Sequence, residues 1–252
     1  MKAGPGGPPG HGSGIRESTG RGTHALVARL VREWEGCAKV LDLPCGRGAF
    51  LSRLAGTGVE LHGGDVREVL EVPDARFAQV DMNEPLPFGD GSFDGVVCID
   101  GIEHLERPFD FVRECARIVR PGGAFFLTTP NISALRSRWR WLFTGFHNKC
   151  KTPLDETDPN PLQHVHMLSF PDVRFLLHSS GFRIEAVHTN RIKAINWLYA
   201  PLVPFAWVAT RLALAREKRE PARRRRDAEI RRALFSRPIL FGEVMVVAAR
   251  RL

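Results

Sequence analysis

The sequence has few cysteines and lacks the spacings on which cysteine-based sites depend. Its cysteines are odd in number, and no two of them form a C-x-x-C pair. This pattern argues against a disulfide framework and against a zinc site, and it favours reduced thiols in a cytoplasmic setting. The five thiols belong to Cys37, Cys45, Cys98, Cys115 and Cys150.

The opening residues lack an apolar run, so we expect no signal peptide there. Residues 1–14, MKAGPGGPPGHGSG, are rich in glycine and proline and predict a flexible tail. The remaining range, 15–252, is long enough to bury a core and predicts one domain. It contains no internal repeat and no appended RNA-binding module. Its composition, 43% hydrophobic and 25% charged, is typical of a soluble globular protein.

Acidic residues are outnumbered in one region near the C-terminal end. The formal net charge is +8, and residues 211–232 alone hold ten Lys or Arg against four Asp or Glu. The basic character is therefore a local patch rather than a field over the whole surface.

Short apolar runs recur along the chain and alternate with segments of helical spacing. This alternation predicts an α/β fold, a doubly wound, Rossmann-like and mostly parallel sheet. The last two of its seven strands would form a C-terminal antiparallel pair, and helical insertions would interrupt the second half. The predicted strands are 38–43, 59–63, 75–80, 92–99, 124–128, 182–187 and 240–248. The predicted helices are 15–35, one from the glycine turn to 55, 108–119 and 170–180.

A carboxylate stands at or just after the end of each of the first four predicted strands. Ligands of parallel sheets bind at the carboxyl ends of the strands, so we expect these side chains to line one site. They are Asp42, Asp65, Asp81 and Asp100.

The turn after the first strand, in VLDLPCGRGAF, departs from a dinucleotide fingerprint. It supplies Gly46 and Gly48, but Leu51 stands where the pattern G-x-G-x-x-G has its third glycine. Asp42 would also oppose a pyrophosphate with its own negative charge. A ligand with a cationic end and a nucleoside end fits better, with Asp42 at an ammonium or sulfonium group. Asp65, nineteen residues after Gly46, would then bind ribose hydroxyls. S-adenosylmethionine has both ends.

The chain resembles the class I S-adenosylmethionine-dependent methyltransferases, in the broad small-molecule "type 11" group. VLDLPCGRG is similar to their first motif, and GGD, at 63–65, to their second-strand acidic motif. DMNEPLPFGDGSFDGVVCIDGIEHLERP is similar to the stretch from their third strand to their fourth helix, and RIVRPGGAFFLTTPN to their fifth-strand segment. The likeness covers about 39–187 and implies S-adenosylmethionine as the cofactor.

The resemblance implies roles for the residues of the strand ends. Gly46 and Gly48 would approach the methionine part of the cofactor, and Asp65 would bind the ribose. Asp81 and Met82 would flank the adenine, although an aspartate before a proline-rich loop is also an ordinary turn residue.

Two positions at this edge leave alternatives open. Asp100 would either line the cofactor pocket or cap the following turn. Pro44 stands where the family commonly has its first glycine, and proline cannot reach a positive φ, so we expect the turn to start differently there.

His104 follows the fourth predicted strand, where acceptor and sulfonium should meet. It would be a catalytic residue that accepts a proton from an attacking hydroxyl, or else a histidine that binds backbone and shapes the loop. Its neighbour Glu103 would be structural or solvent-facing. His164 and His166 precede a Ser-Phe helix start, as a histidine does in similar methyltransferases, and we expect them to line the substrate site. No carboxylate or cysteine stands at a spacing that completes a metal site with them, so we expect no metal.

Two insertions, at about 133–165 and 191–238, should build the acceptor site, because both are aromatic and basic. Trp197, a predicted substrate-lining residue, begins the apolar stretch 197–208, which is too short to cross a membrane. This stretch predicts either a helical lid over the pocket or, with the basic residues to 226, an element bound to an anionic membrane surface. The second alternative would place a cytoplasmic protein at the inner face of the membrane. Nucleic acid is a less favoured partner.

These observations predict in-line transfer of a methyl group to a small or lipid-linked acceptor, a reaction that needs alignment and desolvation. Oxygen is the favoured target, because the usual asparagine–proline and aromatic amine-binding signatures are absent. The alternatives are a non-catalytic cofactor-binding or interaction protein on the same fold, and an RNA methyltransferase. An NAD-dependent enzyme would need the missing glycine at position 51.

Overall fold

A computed structural model describes residues 14–158, 160, 162–215 and 220–252. The predicted tail, 1–14, lies outside these residues except for its last glycine. Within the described chain seven strands form one sheet. They are β1 (Lys39–Asp42), β2 (Glu60–Asp65), β3 (Ala75–Gln79), β4 (Phe93–Ile99), β5 (Val119–Pro130), β6 (Phe182–Thr189) and β7 (Val244–Arg251).

The sheet has the order β3-β2-β1-β4-β5-β7-β6. Strands β1 to β5 are parallel to one another, and β7 runs antiparallel to both β5 and β6. Six strands therefore point the same way and only β7 is reversed, which confirms the predicted fold class. The central strands are apolar almost throughout because both faces of the sheet are covered.

Seven α-helices accompany the sheet in the described residues. They are α1 (Thr23–Glu33), α2 (Pro108–Ile118), α3 (Leu135–Thr144), α4 (Phe170–Ser179), α5 (Val203–Ala215), α6 (Pro221–Leu234) and α7 (Arg237–Phe241). Three 3₁₀ segments lie at Leu51–Arg53, Ile102–His104 and Ala194–Leu202.

Two apolar layers cover the two faces of the sheet. Helices α2 and α4 pack on one face, and α4 begins with Ser169 and Asp172 in a reciprocal capping box. Helix α1 and the 3₁₀ segment Leu51–Arg53 pack on the other face. A smaller third cluster joins α3, α7 and the segment 192–206, which attaches the two insertions to the end of the sheet.

Several predicted boundaries are wrong. The helix 15–35 starts only at Thr23, and the helix expected after the glycine turn is reduced to the 3₁₀ segment Leu51–Arg53. Strand β5 begins at Val119 and runs through the Arg-Pro-Gly-Gly segment that was expected to close the preceding helix. The last strand is Val244–Arg251 rather than 240–248, because a proline in the first turn starts the short helix α7 ahead of it.

The apolar stretch 197–208 belongs to a longer helical segment, Ala194–Ala215, of 22 residues. By length and composition this segment is long and apolar enough to cross a membrane, so the expectation that it is too short is wrong. Its prolines do not interrupt it, because Pro201 lies in the 3₁₀ part and Pro204 lies in the first turn of α5.

Candidate cofactor and acceptor site

The parallel strands bring the predicted carboxylates to one edge of the sheet. Asp42 and Asp65 are the last residues of the neighbouring strands β1 and β2, Asp81 comes two residues after β3, and Asp100 follows β4 directly. The edge therefore has the arrangement that the strand pattern predicted. The roles of these residues stay predictions.

The glycine turn is tied to the end of β2. The Cys45 N–H donates to the Gly64 carbonyl at 2.9 Å, and the Gly46 N–H donates to Oδ2 of Asp65 at 2.9 Å. Positive φ angles occur at Gly46 (49°) and Gly48 (87°) but not at Pro44, so proline at that position is compatible with the turn.

The two glycines of the turn face different surroundings. A Cβ at Gly48 would lie 2.6 Å from side-chain atoms of Leu70 and Val72, so packing requires glycine there. A Cβ at Gly46 would meet nothing within 4 Å. The backbone at Gly46 is thus open to a ligand.

Asp42 is the most deeply buried of the four carboxylates at this edge. Its side chain is only 2% exposed, and its Oδ1 has no hydrogen-bond partner among the described residues. Burial, with a contribution from the charge of Asp65, raises the pKa of Asp42 well above its usual value. A cationic ligand would supply the missing partner and favour the ionised carboxylate. The amino acid end of S-adenosylmethionine therefore fits this position.

The positions predicted to bind the nucleoside differ in exposure. Asp65 is half-buried, and its Oδ1 lies 3.4 Å from the Arg67 N–H. Asp81 is exposed and accepts a hydrogen bond from the Asn83 N–H at 2.9 Å, as a turn residue would. Met82 is buried next to Gly101. A turn contact at one oxygen of Asp81 leaves its other oxygen available, so the two interpretations of this residue are compatible.

Asp100 adopts a φ of 47° and has both carboxylate oxygens occupied. The hydroxyls of Thr19 and Thr128 donate to them at 2.5 and 2.6 Å. Among the described residues, the hydrogen bonds of this carboxylate go to these two hydroxyls and not to the backbone of the following 3₁₀ segment, which does not support the capping alternative for Asp100. The carboxylate instead ties the segment before α1 to the ends of β4 and β5.

His104 is held in one orientation by the backbone. Its Nδ1 lies 2.9 Å from the Gln163 carbonyl, and a carbonyl can only accept, so Nδ1 carries the proton. The Nε2 atom is then the proton acceptor of the ring. The segment that carries Gln163 is itself fixed by His166, whose Nδ1 donates to the Leu105 carbonyl at 2.6 Å.

The second histidine of the pair, His164, lies against His104 with ring centroids 4.8 Å apart. Its Nδ1 is buried without a hydrogen-bond partner in the described residues. Burial and the nearby His104 lower the pKa of His164, which Asp100 partly opposes. His164 therefore stays neutral beside His104.

Glu103 lies in the candidate site, which sequence reasoning missed, and of its two predicted positions, structural or solvent-facing, the solvent-facing one is wrong. Its side chain is 1% exposed, and its Oε2 accepts a hydrogen bond from the Thr129 hydroxyl at 3.1 Å. Burial, with the charge of Asp100, raises the pKa of Glu103 to about 8. Its position in the sequence, between the end of a strand and a histidine, could have indicated that Glu103 lies in the site.

Glu103, His104 and His164 bring one carboxylate oxygen and two ring nitrogens within 4.8 Å of one another. These are donors that a divalent cation accepts. The fold thus brings a carboxylate to these histidines that spacing along the chain did not predict. The prediction that no metal binds is untested.

Trp197 is not joined to these histidines by any ring contact or hydrogen bond in the described residues. Its indole stacks on Phe241 at 4.5 Å, with the Arg237 guanidinium 5.4 Å from the ring centroid. Its role in lining the substrate site stays a prediction.

Comparison with known proteins agrees with this geometry. Residues 41–127 match the family described as "Methyltransferase domain". A probable S-adenosylmethionine-dependent methyltransferase of Mycolicibacterium smegmatis is 34% identical over 152 residues, which are 58% of this chain and 52% of the relative. The ubiquinone biosynthesis O-methyltransferase of Proteus mirabilis is 33% identical over 119 residues, 42% of this chain and 47% of the relative. The chain spans about half the length of these relatives.

Solved structures share the fold. A SAM-dependent methyltransferase of Archaeoglobus fulgidus superposes with a TM-score of 0.54 at 23% identity, covering 92% of this chain and 96% of that one. A putative methyltransferase of Bacillus halodurans gives 0.56 at 17% identity, with 90% and 98% covered. The fold is that of the Rossmann-like methyltransferases. The glycine turn with its open position at Gly46 lies within the range that matches the methyltransferase domain, and the surrounding sheet has the fold of the solved methyltransferases.

We predict that Asp65→Ala weakens binding of S-adenosylmethionine at least tenfold, because charge-assisted hydrogen bonds to the ribose are lost. Asp65→Asn should lose less, since its amide oxygen can still accept from Gly46. Calorimetric titration with S-adenosylmethionine and S-adenosylhomocysteine measures both. Asp74→Ala, which removes an exposed carboxylate next to β3, is the control. Unchanged affinity of Asp65→Ala would reject the ribose assignment.

We predict that Glu103→Gln becomes more stable relative to the unchanged protein as the pH rises from 5 to 9. The pKa of Glu103 is about 8 when folded and about 4.5 when unfolded, so the support that its protonated form gives to folding is complete below about pH 4.5 and is lost progressively as the pH rises to about 8. Glutamine stays neutral, and the difference by pH 9 is on the order of 3 kcal/mol. Thermal unfolding at pH 5, 7 and 9 measures it, with exposed Glu106→Gln as control. Parallel curves for Glu103→Gln would contradict the burial effect.

Proposed function

We propose that the protein transfers the methyl group of S-adenosylmethionine to an oxygen atom of a small or lipid-linked acceptor. The observation that carries the proposal is the fixed orientation of His104, whose Nδ1 is occupied by the Gln163 carbonyl and whose Nε2 is a free base beside the end of β4. The O-methyltransferases among the relatives, named for ubiquinone biosynthesis, support oxygen as the target.

We assign each part of the cofactor to residues at the ends of the strands. When bound, S-adenosylmethionine supplies an electrophilic methyl group. Asp42 would hold the ammonium group of its amino acid end, Gly46 would give close backbone access, and Asp65 would hold the ribose. Asp81 and Met82 would lie at the base.

On the acceptor side, His104 would take the hydroxyl proton at Nε2 and so raise the nucleophilicity of the oxygen. The imidazolium would keep its Nδ1–H bond to the Gln163 carbonyl. His164, with its lowered pKa, adds no positive charge that would oppose protonation of His104.

We predict that His104→Ala and His104→Gln each lower kcat by a factor of about 10² to 10⁴, the usual contribution of a general base, and leave S-adenosylmethionine affinity unchanged. Glutamine keeps a polar side chain but cannot accept the proton, so it separates base catalysis from loop shaping. Turnover is measured by S-adenosylhomocysteine release with candidate phenol, sugar and lipid acceptors. Full activity in His104→Gln would make His104 a structural residue.

His104 has an alternative role as a metal ligand, together with Glu103 and His164. We expect turnover to survive dialysis against EDTA, because the buried Glu103 favours its neutral form, which is a poor ligand. The check is activity before dialysis, after it, and after addition of Mg²⁺, Mn²⁺ or Zn²⁺. A loss that one ion restores would reassign Glu103, His104 and His164 to a metal centre.

We further propose that α3 and the segment Ala194–Ala215 rest on an anionic lipid surface. The outward face of α5 is apolar although it is exposed: Phe205, Val208 and Leu212 lie at helical spacing, and Phe205 is 74% exposed. An ordinary surface helix places polar residues on that face.

The opposite face of α5 is held by the protein. Its less exposed positions recur every three or four residues, at 203, 206, 210 and 214, and Val203 and Ala206 pack in the cluster around Leu240 and Phe241. This attachment favours a helix lying in the interface over one that spans the bilayer.

Helix α3 extends the apolar surface and adds charge. Trp141, Leu142 and Phe143 are exposed, and Trp139 lies 6.4 Å from the Tyr199 ring. No Asp or Glu occurs in 132–154 or in 190–215, whereas the two ranges contain eight Lys or Arg. Exposed aromatic residues beside an excess of cations fit an anionic membrane interface.

We predict that a triple change of Phe205, Val208 and Leu212 to serine lowers partition onto phosphatidylglycerol vesicles about tenfold or more, given the apolar area involved. Co-sedimentation measures it, with phosphatidylcholine vesicles testing the charge requirement. Phe175→Ser is the matched control, because Phe175 is 65% exposed on α4. Equal partition of the triple variant and the unchanged protein would reject the membrane proposal.

A further inference from the structure

A cavity of about 470 Å³ lies beyond the carboxyl end of β5. It is enclosed by the start of α3, the segment 148–152, the segment 191–196 and the residues just before β7. It lies on the β5–β7 side of the site, away from the glycine turn after β1, and the cofactor assignment does not use it.

The cavity is lined by an excess of positive charge. Five cationic side chains line it, against the single carboxylate of Glu243. They are Arg136, Lys149, Lys151, Arg191 and Lys193.

Glu243 compensates only two of these cations. Nε of Arg191 and Nζ of Lys193 each lie 2.5 Å from its carboxylate oxygens. Burial alone would raise the pKa of Glu243, but these two contacts outweigh burial and hold its pKa below the usual value. Within the described part of the chain, no acidic side chain forms an ion pair with Arg136, Lys149 or Lys151.

Two buried asparagine side chains in the cavity wall each have an amide oxygen that receives no hydrogen bond. Asn131 and Asn196 are each 5% exposed. The Asn131 amide nitrogen donates to the carbonyls of Pro238, Ile239 and Gly242, at 2.9 to 3.1 Å, and the Asn196 amide nitrogen donates to the Phe241 carbonyl at 2.6 Å.

These contacts fix the orientation of both amides. Oδ1 of each is buried without a partner among the described residues. A buried unpaired acceptor is costly, so a donor such as a hydroxyl group next to these oxygens would stabilise the cavity wall.

The cavity lies close to His104. Lys149 contributes to lowering the pKa of both Glu103 and His164, which places its ammonium within electrostatic reach of that cluster. Thr129, which bonds to Glu103, is followed directly by the cavity residue Pro130. The end of β5 therefore connects the cavity to the cluster of Glu103, His104 and His164.

We infer that this cavity binds a phosphate group carried on a hydroxylated portion of the methyl acceptor. The three uncompensated cations suit a group of charge −1 to −2, and the two amide oxygens suit neighbouring hydroxyls. The inference rests on the proposed function in describing the ligand as a methyl acceptor, but phosphate binding is measurable without catalysis. The same chemistry occurs in a free phosphorylated polyol and in a phospholipid headgroup.

The test uses the full chain and isothermal calorimetry at constant ionic strength. The probes are inorganic phosphate, glycerol 3-phosphate, and the monomeric lipids dihexanoyl phosphatidylglycerol and dihexanoyl phosphatidylcholine. The variant Arg136→Gln/Lys149→Gln/Lys151→Gln removes the three uncompensated cations. The single variant Lys149→Gln changes an exposed position, so it keeps the test valid if the triple variant does not fold. Arg76→Gln/Arg113→Gln removes charge at exposed sites outside the cavity lining.

We expect glycerol 3-phosphate or dihexanoyl phosphatidylglycerol to bind, with affinity reduced at least tenfold in the triple variant, several-fold in Lys149→Gln and not in the control. Tighter binding of glycerol 3-phosphate assigns a free phosphorylated polyol, and tighter binding of the lipid assigns a headgroup. Either result supports the cavity. Absence of binding by both, or equal affinity in the triple variant, would overturn the inference.

Titration with S-adenosylmethionine runs beside these measurements and separates the two proposals. Unchanged cofactor affinity in the triple variant is expected, because its three residues do not line the cofactor edge. Loss of phosphate binding with intact cofactor binding in that variant supports the inference. Phosphate binding by a protein that binds no S-adenosylmethionine would refute the proposed function and leave the cavity assignment standing.

Discussion

The burial of Asp42 is the constraint around which the site is organised. A carboxyl group at the end of the central strand β1 has lost its hydration, has an oxygen without a partner, and lies near the charge of Asp65. Such a group is stable only as the neutral acid or beside a cation. The parallel sheet places this carboxyl group at the end of β1, between β2 and β4. A ligand that brings a positive charge to this edge relieves the cost, and this makes the cofactor's amino acid end a physical complement of the fold.

Charge changes sign across the molecule, and the change follows the sheet order. On the β3–β2–β1 side the strand ends carry carboxylates, whereas beyond β5 the insertions carry cations with few acids between them. The cluster of Glu103, His104 and His164 lies at the boundary. Burial raises the pKa of Glu103 and lowers that of His164, so both favour their neutral forms and leave His104 as the group best placed to accept a proton. A base of this kind works best where neighbouring charges do not fix its protonation state.

The parts of the molecule that the sequence could predict are those set by local pattern. Continuous apolar strands and the carboxylates after them were sufficient to predict the sheet and the edge at which Asp42 and Asp65 meet. The start of β7 was misplaced because Leu240 and Phe241 are apolar in either a helix or a strand, and only the preceding Pro238 favours the helix. Glu103 was misjudged because its burial depends on Thr129, which is distant in sequence. The unpaired oxygens of Asn131 and Asn196 follow from contacts with α7, more than forty residues further along the chain, and no local pattern encodes them.

The same two insertions form both the cationic cavity and the apolar surface. Helix α3 contributes Arg136 to the cavity and Trp141 to the exposed surface, and the segment after β6 contributes Asn196 to the cavity and Phe205 to the surface. An acceptor with a phosphorylated, hydroxylated head and an apolar tail would use both at once. Its head would be desolvated in the cavity, and its tail would stay in the lipid surface on which α5 is proposed to lie. A membrane-bound acceptor would then meet the site by diffusion in two dimensions, with its reactive hydroxyl already oriented toward the sheet edge. Orientation of this kind supplies much of what methyl transfer needs from a protein, since the reaction depends on alignment more than on covalent assistance.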